Sequence, residues 1–488
     1  MNIIYNAMFM ITLSLVVIKE YEVIQNYHYE LRKYFLHLIN NKKKYIYFLY
    51  FLLGTFLFRF DFLYFLLSLL LLTYLIRHES KLKYTKRVKR VLVINFILLS
   101  VFLITNTLKF VFIVPFLYLL LVHFLSFIIE EFVYLKFLTK AKIKIKNKKV
   151  IGITGSCGKT SVKNIVYDLM ENEFNVSKTP KSYNTRVGIL KSINECLSPF
   201  DEYFICEYGV DRVKGMDKLL KVIKPNITII TEIGNQHLLS FKSVENIFKE
   251  KIKIIEALDK YGIGIINNDN EYLKNYDYKS KSIIRYGIKN DSDIMAKNIE
   301  LFSNRSEFDL YVKNKYISRI TIPLLSIHGV ENVLCAISVC LTLSYPLEKI
   351  VNNIKNITIT EHRLESKVID DIEVIDDAFN SNVKGFIDAL NVLRISRKYK
   401  IIITPGIIEQ GSNNKEVSYA IAKHIIESVD FVYLVTDNSK YIKEYFDSVD
   451  FVNYKTKESF IESFIDLKSI KEDKIVLIEN DLPNIYLN

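Results

Sequence analysis

The sequence has little of what staples a small secreted fold. Its five cysteines (Cys157, Cys196, Cys206, Cys335, Cys340) are odd in number and form no C-x-x-C pair, which excludes a disulfide framework and leaves no reason to expect structural zinc. A reducing compartment follows. No internal repeat and no long low-complexity linker interrupts the chain, and its main part lacks a basic excess. Lysine and arginine number 66 against 54 aspartate and glutamate, but residues 1–150 hold 22 basic and 7 acidic side chains, leaving 44 and 47 for residues 151–488. A nucleic-acid-binding body would need that positive charge on its own surface, so no nucleic-acid partner is expected. At roughly 150 residues per domain, 488 residues allow about three units.

What the first part does have is apolar length. Residues 2–18, 45–58, 62–76, 91–107 and 110–129 are runs of Leu, Ile, Phe, Val and Tyr, each approaching the roughly 20 apolar residues that cross a bilayer. The first run is followed by Lys19-Glu20 rather than a small-residue cleavage site, so it reads as an anchor and not a removed signal. Five spans would form a multi-pass transmembrane region over residues 1–135, in contact with membrane lipid. The basic loops at 19–44, 77–90 and 136–149 alternate with nearly uncharged connections. The rule that basic loops stay inside then puts the amino terminus outside the cell membrane and everything after residue 130 in the cytoplasm.

After residue 150, short β-branched runs alternate with helical stretches, the pattern of an α/β fold with a mainly parallel sheet. Strands are expected at Lys149 to Thr154, Tyr203 to Glu207, Ile227 to Ile233, Gly264 to Asn267, Glu373 to Asp376, Lys400 to Thr404, Phe431 to Val435 and Lys474 to Ile478. A helix is expected over Asn332 to Ser344. A boundary near 356 divides this part into a middle domain, 149–355, and a smaller tail domain, 356–488.

The first expected strand runs into Thr154-Gly155-Ser156-Cys157-Gly158-Lys159-Thr160 and then a helix. Such a turn aims backbone N–H groups and a helix N-terminus at phosphate oxygens, while Lys159 supplies a point charge and the Thr160 hydroxyl can hold Mg²⁺. Ile153 stands where the strict G-x-x-x-x-G-K-[ST] pattern has its first glycine.

The loop resembles the phosphate loop of the Mur ligases, the ATP-dependent amide-forming enzymes of cell-wall peptide synthesis, which depart from the strict pattern in the same way. The resemblance continues in family order through Ser182-Tyr183-Asn184-Thr185, Glu207-Tyr208-Gly209, Thr231 to His237, Ser243-Val244-Glu245 up to Lys251, and His328 to Asn332. It goes on with His362-Arg363-Leu364-Glu365, Asp376 to Asn382 and Glu479 to Pro483.

It implies an ATP-binding P-loop central domain over 149–355, a smaller Rossmann-like C-terminal ligase domain over 356–488 and an ADP-forming reaction through an acyl phosphate. It also implies roles residue by residue. Thr154, Gly155, Ser156, Gly158, Lys159 and Thr160 would cradle ATP; Thr160 and Glu207 would hold one Mg²⁺ and His237 a second. Lys251 would carry a CO₂-derived carbamate that helps bind the second Mg²⁺, although Glu250 and Lys253 replace the family's usual alanine and glutamate. Asn332 would contact adenine, and Arg363 and Asp377 the nucleotide as the C-terminal domain closes. Asn380 and Asn382 would face nucleotide or substrate, with Val383 where proline commonly follows. Ser182, Asn184 and Thr185 would meet the cell-wall peptide precursor.

Within the family, the runs at 362–365 and 376–382 are most similar to the enzyme adding D-alanyl-D-alanine to a UDP-N-acetylmuramoyl tripeptide. That enzyme normally begins with a soluble UDP-sugar domain, whose place the apolar region takes here, and Thr404 to Gly411 resembles a membrane-fused subgroup. A membrane ligase resembling poly-γ-glutamate synthase, an ATP-driven transporter or switch, and a degenerate nucleotide-binding scaffold remain as alternatives; protein partners are not identified.

Overall fold

The computed structural model describes residues 2–26, 82–105, 115–379, 382–407, 414–435 and 437–480. The chain divides into a helical unit, Met1–Lys136, and an α/β unit, Phe137–Asn488.

In the helical unit the apolar runs at 2–18 and 91–107 fall largely in the helices Asn2–Asn26 and Lys86–Ile104, and most of 110–129 in Pro115–Ile145. The runs at 45–58 and 62–76 lie outside the described residues. Among the described helices one, Tyr118–Ile145, is long and apolar enough to cross a membrane. The apolar part of Lys86–Ile104 starts only after Arg90, which leaves it short of the roughly 20 residues needed. Five spans are therefore not reproduced here. The helices pack through Leu13, Val16, Val17, Val88, Val91, Leu99, Tyr118 and Val122. Polar groups face inward: Asn95 donates to Ser14 Oγ at 3.0 Å and accepts from Tyr118 OH at 2.8 Å, and Arg90 grips Glu130 with two bonds at 2.7 and 2.8 Å. Phe96, Ile97, Ile104, Phe124, Phe127 and Phe132 are exposed.

The α/β unit holds two sheets. The first is built from β1 (Lys149–Thr154), β2 (Val176–Lys178), β3 (Tyr203–Glu207), β4 (Ile227–Ile230), β5 (Ile263–Asn267), β6 (Ser282–Gly287), β7 (Ile294–Leu301), β8 (Ser306–Val312) and β9 (Lys315–Ile322). Its order is β2-β3-β1-β4-β5-β6-β7-β8-β9, parallel as far as β7. β1, β3 and β4 are apolar along nearly their whole length because both faces are covered. The helices Lys159–Met170 and Ile327–Thr342 share one core with Ile151, Ile153 and Ile229, through Val162, Ile165 and Val166 on one and Val333, Ile337 and Cys340 on the other.

The second sheet comprises β10 (Glu365–Ile369), β11 (Ile372–Asp377), β12 (Tyr399–Thr404), β13 (Phe431–Val435), β14 (Tyr454–Lys457) and β15 (Lys474–Glu479), ordered β10-β11-β15-β12-β13-β14. β10 is antiparallel to β11 and the rest are parallel. Between Ile354, the end of the last helix before it, and Glu365, the connection is pinned to the helix Lys159–Met170. Asp168 accepts from Thr358 N at 2.9 Å and from its hydroxyl at 2.6 Å, and Asn164 donates to Thr360 Oγ1 at 3.1 Å.

The eight expected strands are all present, and β2, β6, β10 and β14 add to them. β4 ends at Ile230 rather than Ile233, because residues 231–234 leave the sheet to bind the turn after β1: Ser156 N donates to Glu232 O at 2.8 Å. The antiparallel β7–β8–β9 ladder was not expected. Its β8–β9 turn is Lys313-Asn314, both at positive φ (49° and 62°), where the usual sequence signal is Asn-Gly.

Candidate active site

The site stands at the carboxyl ends of β1, β3 and β4, where open parallel sheets bind ligands. Ile153 pairs with Glu207 across β1 and β3 and is fully buried. Burial worth roughly 2 kcal/mol thus occupies the position of the missing first glycine. The two remaining glycines are required. Gly155 has φ 150°, and a Cβ there would overlap Thr231 Oγ1; Gly158 has φ 79°, and a Cβ would lie 2.7 Å from Asn332 Oδ1. The loop is laced to its neighbour: Thr154 Oγ1 donates to Tyr208 O at 2.9 Å, Gly234 N donates to Ser156 Oγ at 2.9 Å, and Thr231 Oγ1 donates to Cys157 O. The hydroxyls of Thr154 and Ser156 are therefore engaged in building the loop.

Lys159 opens the helix Lys159–Met170 and curls back, donating to Gly155 O at 2.7 Å, Ser156 O at 3.3 Å and Gln236 Oε1 at 3.4 Å. Thr160 follows it, half-buried in the first turn. Lys251, at the end of the helix Val244–Lys251, is buried and donates to the same Gly155 oxygen at 2.7 Å. Burial, reinforced by the charge of Lys159, holds its ammonium pKa well below the usual lysine range. Burial also lowers Lys159, with Arg363 acting in the same direction.

The departures at 250 and 253 have a structural use. Glu250 accepts from Met216 N at 2.9 Å and from Lys253 at 2.9 Å, while Lys253 reaches Asp217 at 2.8 Å. These bonds tie the helix to the segment Gly215–Leu220 and leave Lys251 directed at the phosphate loop.

Glu207 ends β3 with no exposure. Lys163 Nζ lies 3.0 Å from its Oε1, yet neither carboxylate oxygen makes a hydrogen bond. A buried carboxylate with unused acceptor capacity fits a cation-binding role. His237 is exposed at the start of the short helix Leu238–Phe241 and acts electrostatically on Asp211. Among the described residues, the one cluster of three potential ligands lies elsewhere, at His362, Glu365 and Asp376. There Lys367 bonds Asp376 and already supplies a cation.

The C-terminal domain reaches the same loop. Asn382 caps the helix Val383–Ile395 through Gly385 N at 2.9 Å, which suits a chain with Val383 in the first turn, and its Nδ2 donates to Cys157 Sγ at 2.8 Å. Lys384 pairs with Glu232 at 3.2 Å. Arg363 stacks on Phe379, 4.1 Å from the ring centre. Burial pushes the Asp377 carboxyl up to about 6 against the pull of Arg363. Asn332 and His328 pack beneath Gly158, and His328 Nδ1 contacts Glu331 at 3.0 Å. Asn184 accepts from Gly209 N at 2.9 Å and Thr185 caps the helix Arg186–Glu195, so both shape the loop that carries Ser182. Asn380 lies outside the described residues, as do 408–411 and 481–483. Lys163 was missed from the sequence, because a lysine inside an amphipathic helix reads as a solvated residue until its burial is known.

Residues 153–340 match the family model of the Mur ligase middle domain. The UDP-N-acetylmuramoyl-tripeptide–D-alanyl-D-alanine ligase of Buchnera aphidicola subsp. Baizongia pistaciae is 32% identical over 272 residues, 55% of this chain and 58% of that enzyme. The ligase of the same name from Buchnera aphidicola subsp. Acyrthosiphon pisum is 28% identical over 337 residues, covering 68% and 73%. Among solved structures, MurF ligase from Thermotoga maritima in complex with ADP has a TM-score of 0.65 at 20% identity, covering 71% of this chain and 80% of that one. MurF from Acinetobacter baumannii gives 0.64 at 22% identity, covering 71% and 77%. The chain thus spans little more than half the length of the first of these relatives. Residues 153–340 are a Mur ligase middle domain, and the chain carries the Mur ligase fold.

Proposed function

We propose that this chain, as a bearer of the Mur ligase middle domain, is an ATP-dependent, ADP-forming ligase of peptidoglycan synthesis that adds D-alanyl-D-alanine to a UDP-N-acetylmuramoyl tripeptide. One observation carries the reading: two lysines from distant segments, the partly buried Lys159 and the buried Lys251, converge on the phosphate-loop carbonyl of Gly155, beside the buried Glu207 carboxylate. Two relatives that bear the D-alanyl-D-alanine ligase name support the substrate.

In such a reaction the γ-phosphoryl of ATP passes to the substrate carboxylate, giving an acyl phosphate; the incoming amine attacks, and an amide and phosphate result. Charge gathers on phosphoryl oxygens, so the site must supply cations and fixed donors. Lys159 and the helix N-terminus meet the β- and γ-phosphates. Glu207 and Thr160 would hold one Mg²⁺ and His237 a second, and the metal would supply positive charge to neutralise the phosphates. Depressed basicity favours the neutral Lys251 amine, the form that adds CO₂ to give a carbamate and a proton; that carbamate would help hold the second Mg²⁺. Arg363, Asp377 and Asn382 close over the nucleotide and exclude water from the acyl phosphate. Ser182, Asn184 and Thr185 face the peptide precursor.

The helical unit acts as a multi-pass anchor of a membrane-fused subgroup, with the catalytic domains on the cytoplasmic side of the cell membrane. Its inward polar bonds and exposed apolar faces are the arrangement a lipid solvent favours. The same unit favours a second reading, a poly-γ-glutamate synthase-like ligase with a membrane-bound acceptor.

The test is phosphate release from ATP by protein purified in detergent with Mg²⁺ and bicarbonate, with the UDP-linked tripeptide and D-alanyl-D-alanine added singly and together. Release that needs both, with a product lighter than their sum by one water, is the expected result. ATP binding without turnover on that pair would overturn the substrate in favour of a lipid-linked or polyanionic acceptor.

A further inference from the structure

Lys163 is a fully buried lysine one turn beyond Lys159 on the helix Lys159–Met170. A lysine with no exposure persists only where its charge is met. Two groups meet it: the Glu207 carboxylate, 3.0 Å away, and the carbonyl of Lys181, to which Nζ donates. Lys181 belongs to a turn held at both ends. Its own φ is 47°, Thr179 N donates to Ile205 O at 3.0 Å, and Tyr183 N donates to Pro180 O at 3.1 Å. The carbonyl that receives Lys163 is therefore a fixed point, and Lys163 spans from it to Glu207. Among the described residues, neither oxygen of Glu207 makes a hydrogen bond. The orientation of that carboxylate rests on the ammonium beside it.

We infer that Lys163 is a positioning residue that holds the Glu207 carboxylate in place for the divalent cation accompanying the nucleotide. The inference rests on the reading of Glu207 as a cation ligand. Lys163 itself touches neither nucleotide nor substrate. Its ammonium fixes how the buried carboxylate is turned, leaving the second oxygen, Oε2, to the cation. A neutral side chain of similar length would fill the space without doing so; arginine would keep the charge.

The experiment is equilibrium binding of ADP to the full chain in detergent, with and without Mg²⁺, for the native protein and for Lys163→Met, Lys163→Arg, Glu207→Gln and the double variant Lys163→Met/Glu207→Gln. The quantity read is the gain in ADP affinity that Mg²⁺ brings. Lys163→Met is expected to lose about tenfold of that gain while Mg²⁺-free affinity changes by less than about threefold. Lys163→Arg is expected to recover most of it. The double variant should lose no more than Glu207→Gln alone, because one residue acts through the other.

A native Mg²⁺ gain in Lys163→Met would overturn the inference, as would losses that add in the double variant. Should Lys163→Met fail to fold with a lone buried carboxylate, the double variant, with both charges gone, still carries the comparison with Glu207→Gln. Native protein that binds no ADP would instead overturn the phosphate-site reading, and the inference with it. Binding of ADP that Mg²⁺ does not improve would overturn the role of Glu207.

Discussion

Lys159 and Lys251, 92 positions apart in sequence, donate to one acceptor, the carbonyl oxygen of Gly155, each at 2.7 Å. Two ammonium groups at one oxygen repel each other, and burial adds to the cost. The arrangement favours losing a proton from the more deeply shifted of the pair, Lys251. This is the chemical condition for an amine that takes up CO₂.

Lys159→Ala is expected to cut ATP-dependent phosphate release by roughly 100-fold or more, since a charge aimed at the transferring phosphoryl group is removed. Lys251→Ala is expected to be similarly inactive and to regain partial turnover in acetate, which returns an anion to the place of the proposed carbamate. Phosphate release in CO₂-stripped buffer, with bicarbonate restored stepwise, checks the native protein; turnover indifferent to bicarbonate would remove the carbamate from the proposed mechanism.

Gly155→Ala tests the loop itself. The added methyl meets Thr231 Oγ1 at a backbone conformation that side chains rarely adopt, so a destabilisation of about 1–3 kcal/mol is expected. Urea unfolding measures it, and ADP binding should be lost even where the protein remains folded. Thr231→Ala in the same background should restore part of the stability, because the overlapping atom has gone.

The contact of Lys384 with Glu232 joins the C-terminal domain to the segment that braces the phosphate loop. Lys384 is half exposed, so the pair contributes less than about 1 kcal/mol to stability. Lys384→Glu is expected to leave the melting temperature within about 2 °C of native while raising KM for ATP several-fold. Glu232→Lys combined with it should return KM toward the native value. A KM unchanged by the reversal would detach this pair from domain closure.

Asp377 sets a pH dependence. Its carboxyl is raised from the ordinary 3.8 to about 6 in the folded protein, so between those values the folded state binds more protons than the unfolded one. Stability from this group is full below pH 4 and falls as pH rises to 6, by about 1–3 kcal/mol. Asp377→Asn should remove that decline. Denaturant midpoints at pH 4.5 and 7.5 check it: relative to native, the variant should gain stability at the higher pH.

Much of this protein is legible one segment at a time. The bounds of β1, β3 and β13 follow from apolar runs flanked by polar residues, and the phosphate loop from a strand, two glycines and a lysine in local order. These features depend on neighbours in the chain, which sequence displays directly. Five membrane spans were also read locally; one described helix meets the length and composition, and two of the runs lie beyond what the structure describes.

The rest depends on distance in space. That Lys251 points at Gly155, that Glu250 and Lys253 brace its helix and that Asn382 reaches Cys157 are consequences of packing between segments far apart in sequence. The two readings of Lys163 differ most. By sequence it is one of many lysines, and only the tertiary structure removes its water and leaves it between Glu207 and the Lys181 carbonyl. The physical reason is that sequence records which charges exist, while burial decides which of them must find a partner.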